Sequence, residues 1–361
     1  MDASKDGAGI GPDLRDRFCR GMVIPAMPLA LDAERRFDER HQAALIRYYI
    51  DAGAGGLAVG VHTTQFTIRE PAYGLFEPVL RYASTVVDDW CQRTGVSIVK
   101  IAGICGLTPQ ALKEARFAKQ CGYLAGLVSM SAFSSADSLE QLLAHCCAVA
   151  EVLPIIGFYL QPAVGGLRLP YAFWRALAEI DGLLGIKIAP FNRYQTLDVI
   201  RAVCDAGRAG EVALYTGNDD HIVGDLVTAF DLGMQTRPPV RIVGGLLGQW
   251  AVWTRQAVAL LREVHALAAR GGDIPQALLA RGACLTDANG AIFDVAHQFA
   301  GCIPGIHEVL RRQGLLAGNW CLDPEETLSV GQCAEIDRVW AAYPELRDDA
   351  FVAQHLGRWL A

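Results

Sequence analysis

Eight short apolar runs, each followed by a segment of helical spacing, recur between residues 20 and 268 of this chain. They are GMVIPAM (21–27), GGLAVGV (55–61), VSIVKIAG (96–103), LAGLVSM (124–130), PIIGFYL (154–160), LLGIKIA (183–189), EVALYTG (211–217) and PVRIVGG (239–245). The runs are continuous rather than alternating, as expected of strands buried on both faces. The segments between them carry helix signals. TPQALKEARFAKQC opens with threonine as N-cap and proline at the first helical position, and Ser135 or Asp137 is placed to cap the next helix. Eight units of about 30 residues predict an α/β fold, a (β/α)8 TIM barrel. A doubly wound sheet is the alternative, but no G-x-G-x-x-G turn follows any run. From about residue 273 the pattern is helical throughout. The expected organisation is a disordered leader over 1–19, a catalytic barrel over 20–270 and a C-terminal helical extension over 271–361.

Composition narrows the function classes. Hydrophobic content of 52% with 20% charged residues is that of a packed globular chain. A net charge of −7 argues against non-specific binding to nucleic acid or to an anionic membrane surface. No apolar run approaches the roughly 20 residues that span a bilayer. The eleven cysteines form no C-x-x-C pair and no apolar signal segment opens the chain, so reduced thiols and a cytoplasmic location are expected.

Of 32 cationic residues only five are lysines: Lys5, Lys100, Lys113, Lys119 and Lys187. Lys187 lies inside LLGIKIAPFN, and a buried ammonium is costly unless it is paired or loses its proton. Arginine stays protonated, whereas a lysine can lose its proton and attack a carbonyl. The bland reading is a packed stem with its tip in water. Lys100, in VSIVKIAG, is an equal rival on pattern alone.

Barrel sites lie at the C-terminal ends of the strands. The polar residues there are GVHTTQFT (60–67), Tyr159, Lys187, YTGNDD (215–220) and GGLLGQ (244–249). Tyr159 and Lys187 lie on consecutive predicted strands and are expected to face each other across about 5 Å, one strand spacing. An amine and a phenol so placed suit imine chemistry on a keto acid. The amides around Thr63 and Thr64 suit a carboxylate, and Gly244 and Gly245 would let a substrate approach strand 8. Each has a plainer reading. Tyr159 as a core tyrosine, HTTQ as a polar loop, the two glycines as turn or phosphate-binding residues, and Asp219–Asp220 as a helix cap all fit the pattern. Of eight histidines only His62 and His221 fall at predicted strand ends, and no metal-ligand spacing is present. Neither G-x-S-x-G nor H-E-x-x-H occurs.

Four segments carry a resemblance: GMVIPAMPLALDAERRFD, AGAGGLAVGVHTTQFTIRE, GFYLQPAVGGLRLP and LLGIKIAPFN. Over roughly residues 20–345 the chain resembles the dihydrodipicolinate synthase / N-acetylneuraminate lyase superfamily of Schiff-base-forming class I aldolases. The resemblance implies that Lys187 forms the imine and Tyr159 relays protons. It also implies that the loop at Val61, His62, Thr63 and Thr64 holds the substrate carboxylate, that no cofactor or metal is needed, and that the protein is a homotetramer. The chain departs from the usual Gly-Thr-Thr-Gly-Glu loop, because Val61 and His62 replace its two threonines. Val164 stands where the synthase has an arginine that grips aspartate semialdehyde, and Ser134 stands where it has an interfacial tyrosine. Phe133, Phe158 and Trp250 at the expected mouth suit a less polar second substrate, or are core aromatics. The expected function is therefore a lyase, aldolase or dehydratase acting on pyruvate or a related 2-keto acid with an aldehyde, and not a true dihydrodipicolinate synthase. The alternatives are an inactive barrel that binds a keto acid and a phosphate-ligand enzyme using Gly244–Gly245.

Overall fold

The computed structural model describes residues 10–232 and 239–361. All eight expected strands form: β1 (Val23–Pro25), β2 (Gly56–Val59), β3 (Val99–Ile104), β4 (Ala125–Val128), β5 (Ile155–Leu160), β6 (Leu183–Ala189), β7 (Ala213–Thr216) and β8 (Ile242–Leu247). The first nine helices are α1 (Pro12–Arg20), α2 (Glu39–Ala52), α3 (Phe76–Thr94), α4 (Thr108–Gln120), α5 (Leu139–Ala150), α6 (Tyr171–Leu177), α7 (Arg193–Asp205), α8 (Ile222–Val227) and α9 (Thr254–Arg270). Four more follow: α10 (Gln276–Ile292), α11 (Cys302–Arg312), α12 (Gln332–Ala342) and α13 (Asp349–Trp359).

The strands make one sheet in the order β1-β8-β7-β6-β5-β4-β3-β2. Ala26 and Ala58 form a parallel bridge and the Met27 amide donates to the Ala58 carbonyl at 2.9 Å, so the two ends of that order nearly close. The fold is a (β/α)8 barrel followed by a helical C-terminal region. Within the strands only Val243 escapes full burial, which is why the runs read as continuously apolar.

Two expectations need correction. Residues 12–19 are not a disordered leader: Pro12–Arg20 is helical, with proline in its first turn, Asp13 at its start and Arg17 and Arg20 at its end. That distribution matches the helix dipole. Its Phe18 is fully buried, 5.7 Å from the Tyr215 ring. Residues 1–9 lie outside the described residues. Helix α5 is capped by Ser138 through a reciprocal bond with Gln141, not by Ser135 or Asp137. The helical segment after the seventh run is short, ending at Val227, and Phe230 makes an antiparallel bridge with Val240.

The chain divides into two compact units, one of residues 1–22, 100–217 and 228–245, the other of 23–99, 218–227 and 246–361. In the first, α6 covers one face of β5: a Cβ on Gly157 would stand 2.8 Å from Leu177 Cδ2. In the second, α13 packs on α2, with Trp359 5.5 Å from Tyr48 and its indole N–H donating to Asp51 at 2.7 Å. Asp348 is buried there and accepts from the Tyr48 hydroxyl, the Gln313 amide and the Arg255 backbone N–H. Burial pushes its carboxyl above the usual range.

Candidate active site

Lys187 is the fifth of seven residues in β6, toward the strand's C-terminal end, and is only 8% exposed. Room for its stem comes from Gly217, where a Cβ would stand 2.7 Å from Lys187 Cε and 3.1 Å from Cγ. Beyond the strand, Phe191 adopts a left-handed backbone (φ 51°) and Asn192 caps α7 by accepting from the Gln195 amide. Lys100 sits differently. It is the second residue of β3, and its Nζ lies beside the turn before β4, 3.2 Å from where a Gly122 Cβ would stand. That is the N-terminal end of the strands, opposite to where barrel chemistry occurs.

The expected pairing of Tyr159 with Lys187 is not what the register gives. Lys187 pairs with Phe158 on β5 and with Tyr215 on β7, whereas Tyr159 pairs with Ile188. Paired residues share a face and successive residues alternate, so Tyr159 points away from the amine. Its ring lies 4.8 Å from Trp174 of α6, and its hydroxyl donates to the Leu169 carbonyl at 3.2 Å. Burial raises the phenol above its ordinary value. Phe158 meets Lys187, with Nζ 4.3 Å from its ring centroid. Tyr215 shares the lysine's face, but its hydroxyl donates to the Phe18 carbonyl at 2.9 Å.

Gly244 does not open strand 8 to a ligand. A Cβ on Gly244 would stand 2.6 Å from the Met22 carbonyl oxygen and 2.8 Å from the Tyr215 ring, and the Gly245 amide donates to Met22 at 3.2 Å. Gly244 lets β8 lie against the backbone of residue 22.

The Val61–Thr64 turn belongs to the other unit. The Thr63 hydroxyl donates to the Ala26 carbonyl at 2.8 Å and the Thr64 hydroxyl to the Met27 carbonyl at 2.7 Å. Thr64 Oγ1 also accepts from the Gly60 amide at 3.0 Å. Both hydroxyls therefore fasten the turn to the chain following β1. Val61 is buried, and His62 is half-buried against Phe66 with ring centroids 5.9 Å apart. In the same unit the Asp219 carboxylate accepts from the Gln249 amide at 2.9 Å. Trp250 is fully buried, a core residue rather than part of a mouth. Among the described residues no group of three His, Cys, Asp or Glu side chains is placed to hold a metal ion, and no helix is long and apolar enough to cross a membrane.

Sequence reasoning missed Phe158 as the amine's neighbour and Gly217 as the space for its stem. The run G-F-Y-L offers no in/out signal, but a glycine two residues beyond Tyr215 was a readable hint of close packing.

The chain is similar to proteins of known identity. N-acetylneuraminate lyase 2 of Escherichia coli O6:H1 is 26% identical over 215 residues, 59% of this chain and 65% of that protein. The chain thus spans slightly less than two thirds of that relative. A dihydrodipicolinate synthase structure from Oceanobacillus iheyensis superposes with a TM-score of 0.69 at 18% identity, covering 92% of this chain and 99% of the other. A prophage protein of the dihydrodipicolinic acid synthase family from Escherichia coli K12, solved in complex with pyruvate, superposes with a TM-score of 0.67 at 19% identity, covering 90% of this chain and 97% of the other. The family model of the dihydrodipicolinate synthetase family matches residues 20–234, well over half of the chain. By that match, and with the barrel to accompany it, the chain belongs to the dihydrodipicolinate synthetase family.

Proposed function

We propose that this protein is a Schiff-base-forming lyase that acts on pyruvate or a related 2-keto acid, with Lys187 as the amine. The observation that carries the reading is a lysine buried near the C-terminal end of β6 in a family whose relatives include an N-acetylneuraminate lyase and a pyruvate-bound member. The neutral amine attacks the keto carbon. The keto oxygen leaves as water, and the resulting iminium accepts the electron pair released when a C–H or C–C bond at the adjacent carbon breaks. No cofactor is required for these steps. The Val61–Thr64 turn is retained as the proposed carboxylate holder; its two hydroxyls are engaged on carbonyls, and its Val61 and Thr64 amides are engaged within the turn.

The second substrate is proposed to be an uncharged or aromatic aldehyde, or a dehydratable sugar acid, rather than aspartate semialdehyde. Val164 offers no cation for a second carboxylate, and Ser134 hydrogen-bonds to Asp137 through both its amide and its hydroxyl, at 2.8 and 3.0 Å. A missing charge-assisted bidentate pair lowers specificity by roughly 10²-fold or more. A second reading, a keto-acid-binding barrel without turnover, is favoured by one observation: a hydrocarbon ring, not a phenol, meets Lys187. Borohydride reduction with pyruvate followed by peptide mass mapping tests the first reading. An adduct on Lys187 is expected. An adduct on Lys100, or none with any keto acid, would overturn it, and trapping without turnover would favour the second.

A further inference from the structure

We infer that Phe158 is a positioning residue that holds the cationic forms of Lys187, first the ammonium and then the iminium, against the face of its ring; this rests on the reading of Lys187 as the reactive amine. Nζ lies 4.3 Å from the Phe158 ring centroid, inside the range of a cation–π contact. Direct register between Phe158 and Lys187 makes the contact a cross-strand pair fixed by the sheet, not a chance meeting of flexible tips. Phe158 is 5% exposed and Lys187 8%, so the attraction acts where water screens little. Gly217 sets the stem from the opposite flank, where any larger residue would push it away. Ring and glycine thus flank the lysine on two sides.

The titratable groups around this nitrogen are few on the strands beside it. From β7 comes Tyr215, whose hydroxyl is committed to the Phe18 carbonyl. Alternation beyond β3 puts Cys105, buried, on the same face three strands from β6. Arg168 and Asp198 act on the Tyr159 phenol, on the opposite face of β5. The ring is thus the group on β5 that touches the amine. Attraction between a cation and the ring favours the protonated amine over the neutral one, so the ring raises the pH at which Lys187 loses its proton. It favours the iminium over the free ketone in the same sense.

The test uses the intact protein and the variants Phe158→Leu, Phe158→Met and Phe158→Tyr. Competitive acetylation with acetic anhydride across a pH series, read peptide by peptide by mass spectrometry, gives the titration midpoint of Lys187 without any substrate. In the Leu and Met variants the midpoint is expected to fall by about one pH unit, the size of a partly desolvated cation–π contact. In Phe158→Tyr, which keeps a ring, it is expected to stay within a few tenths of a unit. Above the midpoint, the borohydride-trapped pyruvate adduct at fixed sub-saturating pyruvate is expected to fall roughly tenfold in the Leu and Met variants, for the same reason. An unchanged midpoint in a Leu or Met variant with wild-type circular dichroism and melting temperature would overturn the inference. So would an equal fall in Phe158→Tyr. Absence of any pyruvate adduct on wild-type Lys187 would instead overturn the proposed function, and the acetylation series would still decide the role of Phe158.

Discussion

Removing one hydroxyl, Tyr159→Phe, separates two accounts of this site. If Tyr159 relays protons to the imine, the change should lower turnover by roughly 10²–10⁴-fold, the usual contribution of a positioned acid–base group. The structure gives a different magnitude. The hydroxyl donates to the Leu169 carbonyl at 3.2 Å, a long bond between neutral groups, and both residues are buried. Losing it leaves that carbonyl unsatisfied at a cost of about 1 kcal/mol, near the lower end for a buried acceptor. The stack on Trp174 survives, because phenylalanine keeps the ring. In a chain of this size that cost corresponds to a fall of roughly 1–3 °C in melting temperature. The matching activity assay needs only pyruvate: deuterium incorporation into its methyl group in D₂O, followed by NMR, reports imine and enamine formation on Lys187. The exchange rate in Tyr159→Phe is expected within about threefold of wild type, since no acid–base contribution of the usual size is removed. An exchange rate lowered a hundredfold or more, with melting temperature unchanged, would refute the register argument and restore Tyr159 as the relay.

Three further outcomes are expected. Gly217→Ala places a methyl 2.7 Å from both Lys187 Cε and Ala189 Cβ, so the stem must move; the rate of borohydride trapping should fall on the order of 10–100-fold, as for other small misplacements of a reacting group, and a wild-type rate would refute the packing argument. His307 is fully buried, and burial lowers its pKa to about 4 while its Nδ1 lies 3.0 Å from the Trp320 carbonyl oxygen. Its folded value is depressed, so its contribution is complete above about pH 6.5 and is lost as pH falls toward 4, by up to roughly 3 kcal/mol. Chemical denaturation of His307→Gln should therefore show a flatter stability profile over that window than wild type, and parallel profiles would contradict the reading. Light scattering at micromolar concentration is expected to give a homotetramer, and a monomer would refute that proposal.

The apolar runs were enough to locate all eight strands, because a barrel strand is covered on both faces and must exclude polar side chains wherever it runs. The segments that form α2 and α7 were readable from helical spacing, while their caps at Asp38 and Asn192 came from the structure. The same continuity concealed which residue faces which way. In GFYL every side chain is compatible with either face, and a shift of one position exchanges Phe158 for Tyr159 opposite the lysine. Depth along a strand was hidden too. Lys100 and Lys187 sit in runs of the same character, and only the fold places one beside the turn before β4 and the other near the C-terminal end of β6. The roles of Thr63, Thr64 and Gly244 were likewise decided by what lay across from them: carbonyls following β1, and the backbone of Met22. Local sequence determined where the elements form, because burial and capping act over a few residues. Tertiary structure decided which side chains meet, because register and partner are set by residues far away in the chain.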